Sequence, residues 1–145
     1  MCLPVKPFKV EREWEHVGLL CAVVQAGEGG HRCGYVRVPP GHSAHGKHYD
    51  EVGVDVHGGL TFGDIEPCAH EDGTGFWFGF DCAHAGDASY EPEFNEAWGE
   101  EAKSVWKIIN GVSPLPRDYE HFWTQPEVER ETERLAEQLA AAQCA

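Results

Sequence analysis

The chain has 145 residues, of which 41% are hydrophobic, and five are tryptophan. That is enough apolar material for one core and too much for a disordered chain. A formal charge of -14 weighs against nucleic-acid and anionic-membrane partners, because both are held by clustered Lys and Arg. A small anionic ligand stays open, since a few local donors suffice to hold one. The plainest use of the charge is solubility.

The opening Met1-Cys2-Leu3-Pro4-Val5-Lys6-Pro7 lacks the apolar run of a signal peptide, and no later run is long enough to span a bilayer. The expectation is a cytoplasmic protein with reduced thiols. Six cysteines, at 2, 21, 33, 68, 82 and 144, show no Cys-x-x-Cys spacing, and an even count does not make a disulfide framework.

In chain order, residues 1–9 read as an extended arm, with Pro4 and Pro7 opposing helix. Trp14 to Gln25 is a short apolar run suited to a central strand, with a buried helix as the alternative that periodicity leaves open. Gly27-Glu28-Gly29-Gly30 breaks it, and Cys33 to Val38 alternates as a second strand does. Those glycines suit a hairpin turn, and no Gly-Lys-Ser/Thr follows to make a phosphate-binding loop. Pro39-Pro40-Gly41 opens a loop from His42 to Asp50, dense in histidine and carrying Lys47 and Tyr49. It is a candidate lid or a solvated surface loop.

Val52 to Phe62 and Phe76 to Cys82 are expected as paired strands joined by an acidic, turn-rich connection. Phe94, Trp98, Ala102, Val105, Trp106 and Ile109 recur at helical spacing, and Pro114 and Pro116 mark a linker. A last helix begins near Pro126, with Val128, Thr132, Leu135 and Leu139 as its buried stripe. The sum is one α+β domain over 1–145: an arm (1–9), an antiparallel sheet carrying the site motifs (10–90), and a helical part (91–145) packed on one face, ending in an amphipathic helix.

Chemistry concentrates in the paired strands. Asp55 and His57 share a face of a regular strand, as do Cys82 and His84 if the second strand runs on. An Asp near a His fixes its tautomer, as general bases and metal-ligating histidines require. His57, Asp81, His84 and Asp87 are acceptable ligands for a divalent metal that activates water. Two Cys-Ala-His triplets, at 68–70 and 82–84, raise a Cys2His2 zinc site, although the one-residue spacing is not that of a knuckle. Cys82 is a candidate nucleophile with His57 or His84 as base, opposed by the neighbouring Asp81. Alternatively the site only binds. Trp77, on the opposite face from Phe78 and Phe80, and Tyr49 offer rings for stacking. His45, Lys47, Arg37, His57, Thr61 and the amides of Gly58 and Gly59 offer donors for phosphate or ribose.

With those residues in view, Gly34 to Asp87 resembles a family of small proteins from bacteriophages and prophages. The resemblance rests on Gly34-Tyr35-Val36, the Pro39-to-Asp50 loop, Val56-His57-Gly58-Gly59-Leu60-Thr61 and Phe78-Gly79-Phe80-Asp81-Cys82-Ala83-His84-Ala85-Gly86-Asp87. The Val128-to-Leu139 helix also fits, whereas Pro92 to Pro116 looks peculiar to this chain. The resemblance brings no catalytic assignment. It implies a phage-type accessory protein in the bacterial cytoplasm, of a sort that counters host defence. The leading expectation is a protein that binds and sequesters a small nucleotide-derived signal, with the His42-to-Tyr49 loop closing over His57, Thr61, Asp81, His84 and Asp87. A metal-assisted hydrolase or phosphodiesterase, and a protein inhibitor acting through its acidic surface, are the alternatives. Whether the pocket forms in one chain or between two copies is left open.

Overall fold

A computed structural model describes residues 2–5, 9–26, 30–83, 87 and 121–143. Among these, five strands form one antiparallel sheet in the order β1-β2-β3-β5-β4: β1 Lys9–His16, β2 Leu19–Gln25, β3 Arg32–Val38, β4 Phe62–Ile65 and β5 Phe76–Asp81. One helix, α1 (Gln125–Gln143), packs on a face of it. The expected α+β architecture is therefore present. The stripe expected between Phe94 and Ile109 lies outside the described residues. No described helix is long and apolar enough to cross a membrane.

The sheet differs from expectation at two places. Trp14 to Gln25 is not one strand: Val17 and Gly18 both adopt positive φ, 47° and 80°, and pair His16 with Leu19 across a tight turn. Two left-handed residues match the twist of a hairpin. The new strand, β1, takes in the end of the supposed arm. The arm's Leu3 and Val5 pack on the sheet face opposite α1, against a cluster containing Ala22, Val24, Tyr35 and Trp77. The second departure is at Val52–Phe62, where no strand forms until Phe62.

β2 and β3 are buried on both faces, as central strands should be. Cys21, Val23, Val36 and Val38 look toward α1, together with Phe76, Phe78 and Phe80 of β5. The helix answers with Val128, Thr132, Leu135, Ala136 and Leu139, all 0% exposed, so the expected stripe is the buried one. Each large apolar side chain so covered contributes about 1.5–3 kcal/mol. The helix can sit this close because position 34 has no side chain. A Cβ there would lie 2.5 Å from Phe80 Cε1 and closer still to the Thr132 hydroxyl.

Helix entry is fixed by Thr124, whose backbone N–H (3.1 Å) and hydroxyl (2.9 Å) both donate to Glu127 Oε1. This is the reciprocal half of a capping box. Burial raises the Glu127 pKa, but the two Thr124 donors and His121 outweigh it and leave it below the ordinary value.

On the opposite face Trp77 is fully buried and its indole N–H donates to Glu66 Oε2 at 3.1 Å. It lies opposite Phe78 and Phe80 as expected, yet it is not open for stacking on a ligand. Glu66 also accepts the Gly75 N–H and, at 2.9–3.1 Å, the Arg37 guanidinium, which bonds Asp72 at 2.8–3.0 Å as well. Arg37 is thus occupied by carboxylates and is not a spare donor for an anion. Burial pushes Glu66 up, but Arg37, the Gly75 N–H and the Trp77 indole hold it below the ordinary value of 4.5.

Two outcomes follow from these contacts. Val17→Asn should stabilise the protein by about 1 kcal/mol, because asparagine tolerates the left-handed conformation that strains a β-branched residue; an unchanged or lower urea midpoint would contradict this turn. Arg37→Ala should cost about 3–5 kcal/mol at neutral pH by leaving Glu66 buried and unpaired. Folding depresses the Glu66 pKa, so its stabilisation is full above 4.5 and lost as pH falls. The Arg37→Ala penalty should therefore shrink in acid; a constant penalty in urea titrations across that range would refute the pairing.

Candidate functional site

The motif around His57 is a turn, not a strand. Val56 is buried, Gly59 N–H closes on Val56 carbonyl at 2.9 Å, and Gly58 and Gly59 both have positive φ, 68° and 77°. Two successive left-handed residues suit glycine and break any ladder. Asp55 consequently does not share a face with His57. Its carboxylate pairs with Arg134 at 2.9 Å, its carbonyl accepts Gln138 Nε2 at 2.8 Å, and its N–H donates to Gln138 Oε1 at 2.7 Å. Asp55 clamps the loop to α1.

The partner of His57 is Asp87, thirty residues on. His57 Nε2 lies 2.8 Å from Asp87 Oδ2, and the indole N–H of Trp123 donates to Oδ1 of the same carboxylate at 3.1 Å. The imidazole and indole rings stack at 4.3 Å with 36° between planes. The Asp87 side chain is 3% exposed and that of His57 23%, so the acid is inside and the base looks out. The main chain of Asp87 bridges that of His121, which joins a point six residues beyond β5 to the segment that leads into α1. Behind this, Arg32 Nη1 donates to the Trp123 carbonyl at 3.0 Å, while Arg32 Nε and Nη2 reach Glu11 at 2.6 and 3.1 Å.

Asp81 and Thr61 form a neighbouring brace. The Thr61 hydroxyl donates to Asp81 Oδ2 at 3.0 Å, the Ala83 N–H donates to Oδ1 at 3.1 Å, and Thr61 N–H donates to the Gly79 carbonyl at 3.0 Å. The His57 turn is thereby sewn to the end of β5. His84 lies outside the described residues. Among the described residues, His57, Asp81 and Asp87 do not gather into a metal-ligand cluster, whereas the donors of Cys2, Cys68 and His70 do.

The histidine loop goes elsewhere. His42 Nε2 meets the Leu139 carbonyl at 2.7 Å, its Nδ1 accepts the Ala44 N–H, and His45 Nε2 meets the Thr74 carbonyl at 2.9 Å. Tyr49 packs against the core with His48 stacked on its ring, and Lys47 is exposed. These contacts anchor the loop to the last turns of α1 and the start of β5, whereas Trp123 precedes the first turn of α1. In this structure His42 and His45 serve the fold, and the loop is not drawn over His57.

Cys82 is a poor nucleophile. It is 1% exposed, and burial, with Asp87, Cys33, Asp81 and Glu131 nearby, pushes its thiol well above the ordinary range. Beside the Trp123 ring, Trp123, Glu127, Arg130 and Glu131 line a hollow of about 230 Å³. Trp123 and Arg130 were not foreseen. The available signal was an aromatic cluster, His121-Phe122-Trp123, directly before the Thr124-x-x-Glu127 cap.

No family model matches the chain, and no curated protein or solved structure matches it.

Asp87→Ala should cost about 1–3 kcal/mol, because the Trp123 N–H then lacks its acceptor, while His57→Ala, being more exposed, should cost less. Equal urea midpoints for Asp87→Ala and the parent protein would show that the carboxylate holds neither ring.

Proposed function

We propose that this chain binds and sequesters a small nucleotide-derived signal at His57, and that it does so as a phage-type accessory protein countering host defence in the bacterial cytoplasm. The observation that carries the reading is the carboxylate of Asp87, shared between the outward-looking imidazole of His57 and the indole of Trp123. The carboxylate fixes the orientation of the imidazole, and the stacked rings form a rigid wall. Arg130 lines the adjoining hollow together with Glu127 and Glu131.

Charge decides which ligand suits such a wall. Glu131 is paired with Arg134, and Glu127 with Thr124 and His121, so the lining carries mixed charge and suits the amino and hydroxyl groups of a nucleoside better than a polyphosphate. A hollow of about 230 Å³ is smaller than the roughly 300–1,000 Å³ of pockets that enclose a drug-sized ligand. It suits one nucleoside portion, not a whole dinucleotide. The resemblance to small phage proteins supplies the biological context.

The same dyad favours one alternative. A histidine oriented by a buried carboxylate is the arrangement of a general base, so hydrolysis of the signal is the second reading. One experiment separates them. The protein is incubated with a cyclic dinucleotide, freed of unbound ligand and heat-denatured, and the supernatant is chromatographed. Sequestration predicts intact ligand, with retention reduced at least tenfold in His57→Ala. A cleaved product supports the hydrolase instead. Retention unaltered in His57→Ala would remove this site from both readings.

A further inference from the structure

At the other end of β5, roughly 17 Å along the strand from Asp81, a second group of side chains has no part in the site above. Cys2 of the N-terminal arm is disulfide-bonded to Cys68, with Cα atoms 6.1 Å apart. This departs from the expected set of reduced thiols. The bond arises because Leu3 and Val5 lay the arm on the outer face of the sheet, beside the connection that carries Cys68. His70 joins the pair: donor atoms of Cys2, Cys68 and His70 all lie within 4.8 Å of one another.

We propose that, with the disulfide reduced, Cys2, Cys68 and His70 bind one Zn²⁺ or a similar thiophilic divalent cation, and that oxidation to the disulfide closes the site. Two thiolates and an imidazole are the donors of a three-residue zinc site, with water completing the tetrahedron. The surroundings resemble the support such a site needs. His70 Nε2 lies 3.4 Å from Glu66 Oε2, and a carboxylate beside a histidine is the usual means of orienting a zinc-bound imidazole. Glu66 is itself immobilised by Arg37, Trp77 and the Gly75 N–H, and His70 is held by paired main-chain bonds to Gly73 at 2.8 and 3.0 Å. Two Cys-Ala-His triplets offered a four-residue site whose spacing is not that of a knuckle; the group found here takes Cys68 and His70 from one triplet and its second thiol from the arm.

Binding to the reduced form exchanges two thiol protons for one cation. Formation of the disulfide removes two electrons from the thiolates; they pass to an oxidant such as hydrogen peroxide, which takes two protons from solvent and becomes two waters, while the ion is released. Cys21, Cys33 and Cys82 are buried, and burial pushes Cys21 up to about 12 and Cys33 up to about 11, so none of them competes.

The test uses the full chain, reduced with a tertiary phosphine that ends as its oxide, and titrated with Co²⁺ without oxygen. Expected are a sulfur-to-cobalt charge-transfer band and tetrahedral visible bands that saturate at one ion per chain, vanish on adding Zn²⁺, and fail to appear in unreduced protein. Cys68→Ser should abolish the charge-transfer band, and His70→Gln, at an exposed position, should weaken binding at least tenfold while circular dichroism stays unchanged. Absence of the band in reduced protein, or a band and affinity undiminished in either variant, would overturn the proposal.

Discussion

The candidate site depends on one buried carboxylate. Asp87 accepts from Trp123 on one oxygen and meets His57 on the other, so a turn, the exit of a central strand and the entrance of the helix converge on it. A buried carboxylate is costly unless its oxygens are answered. That cost explains why three sequence-distant segments are held in one arrangement. It also fixes the polarity of the site, with the acid inward and the imidazole at the rim.

The surrounding parts work as supports for that contact. Arg32 ties the Trp123 carbonyl to Glu11 of the edge strand, Thr61 ties the His57 turn to Asp81, and Thr124 with Glu127 fixes where the helix begins. Asp55 and Gln138 fasten the loop before His57 to the helix. The opposite end of the sheet has its own fixed polar centre, Glu66 with Arg37, and it supports a different group of side chains. A chain this small therefore presents two separate chemical neighbourhoods on one sheet.

What could be read beforehand followed from periodicity. The helical stripe Val128, Thr132, Leu135 and Leu139 was legible because spacing of three and four leaves one face to bury. β2, β3 and β5 were legible because central strands are apolar on both sides. β1 was missed because Lys-Val-Glu-Arg-Glu-Trp-Glu-His is an edge strand whose charges are answered by tertiary ion pairs, Arg12 and His16 with helix acids and Glu11 with Arg32, which no local pattern shows. The strand drawn through His57 failed for a local reason: alternation suggested it, but Gly58 and Gly59 take left-handed backbone. His57, Asp81 and Asp87 were nonetheless singled out, by residue type. The meeting of His57 with Asp87, and of Thr61 with Asp81, follows that grouping, whereas Trp123 and the pairing of Cys2 with Cys68 were out of reach, being set by tertiary contacts that no local pattern encodes.

The most direct test of the central claim is to follow the tryptophan indole N–H resonances and the His57 ring by two-dimensional NMR while a mixed set of nucleotides is added. A ligand seated on this wall should shift Trp123 and His57 and leave the buried Trp77 in place. Movement of other indoles with Trp123 and His57 unmoved would contradict the account and put the working surface elsewhere.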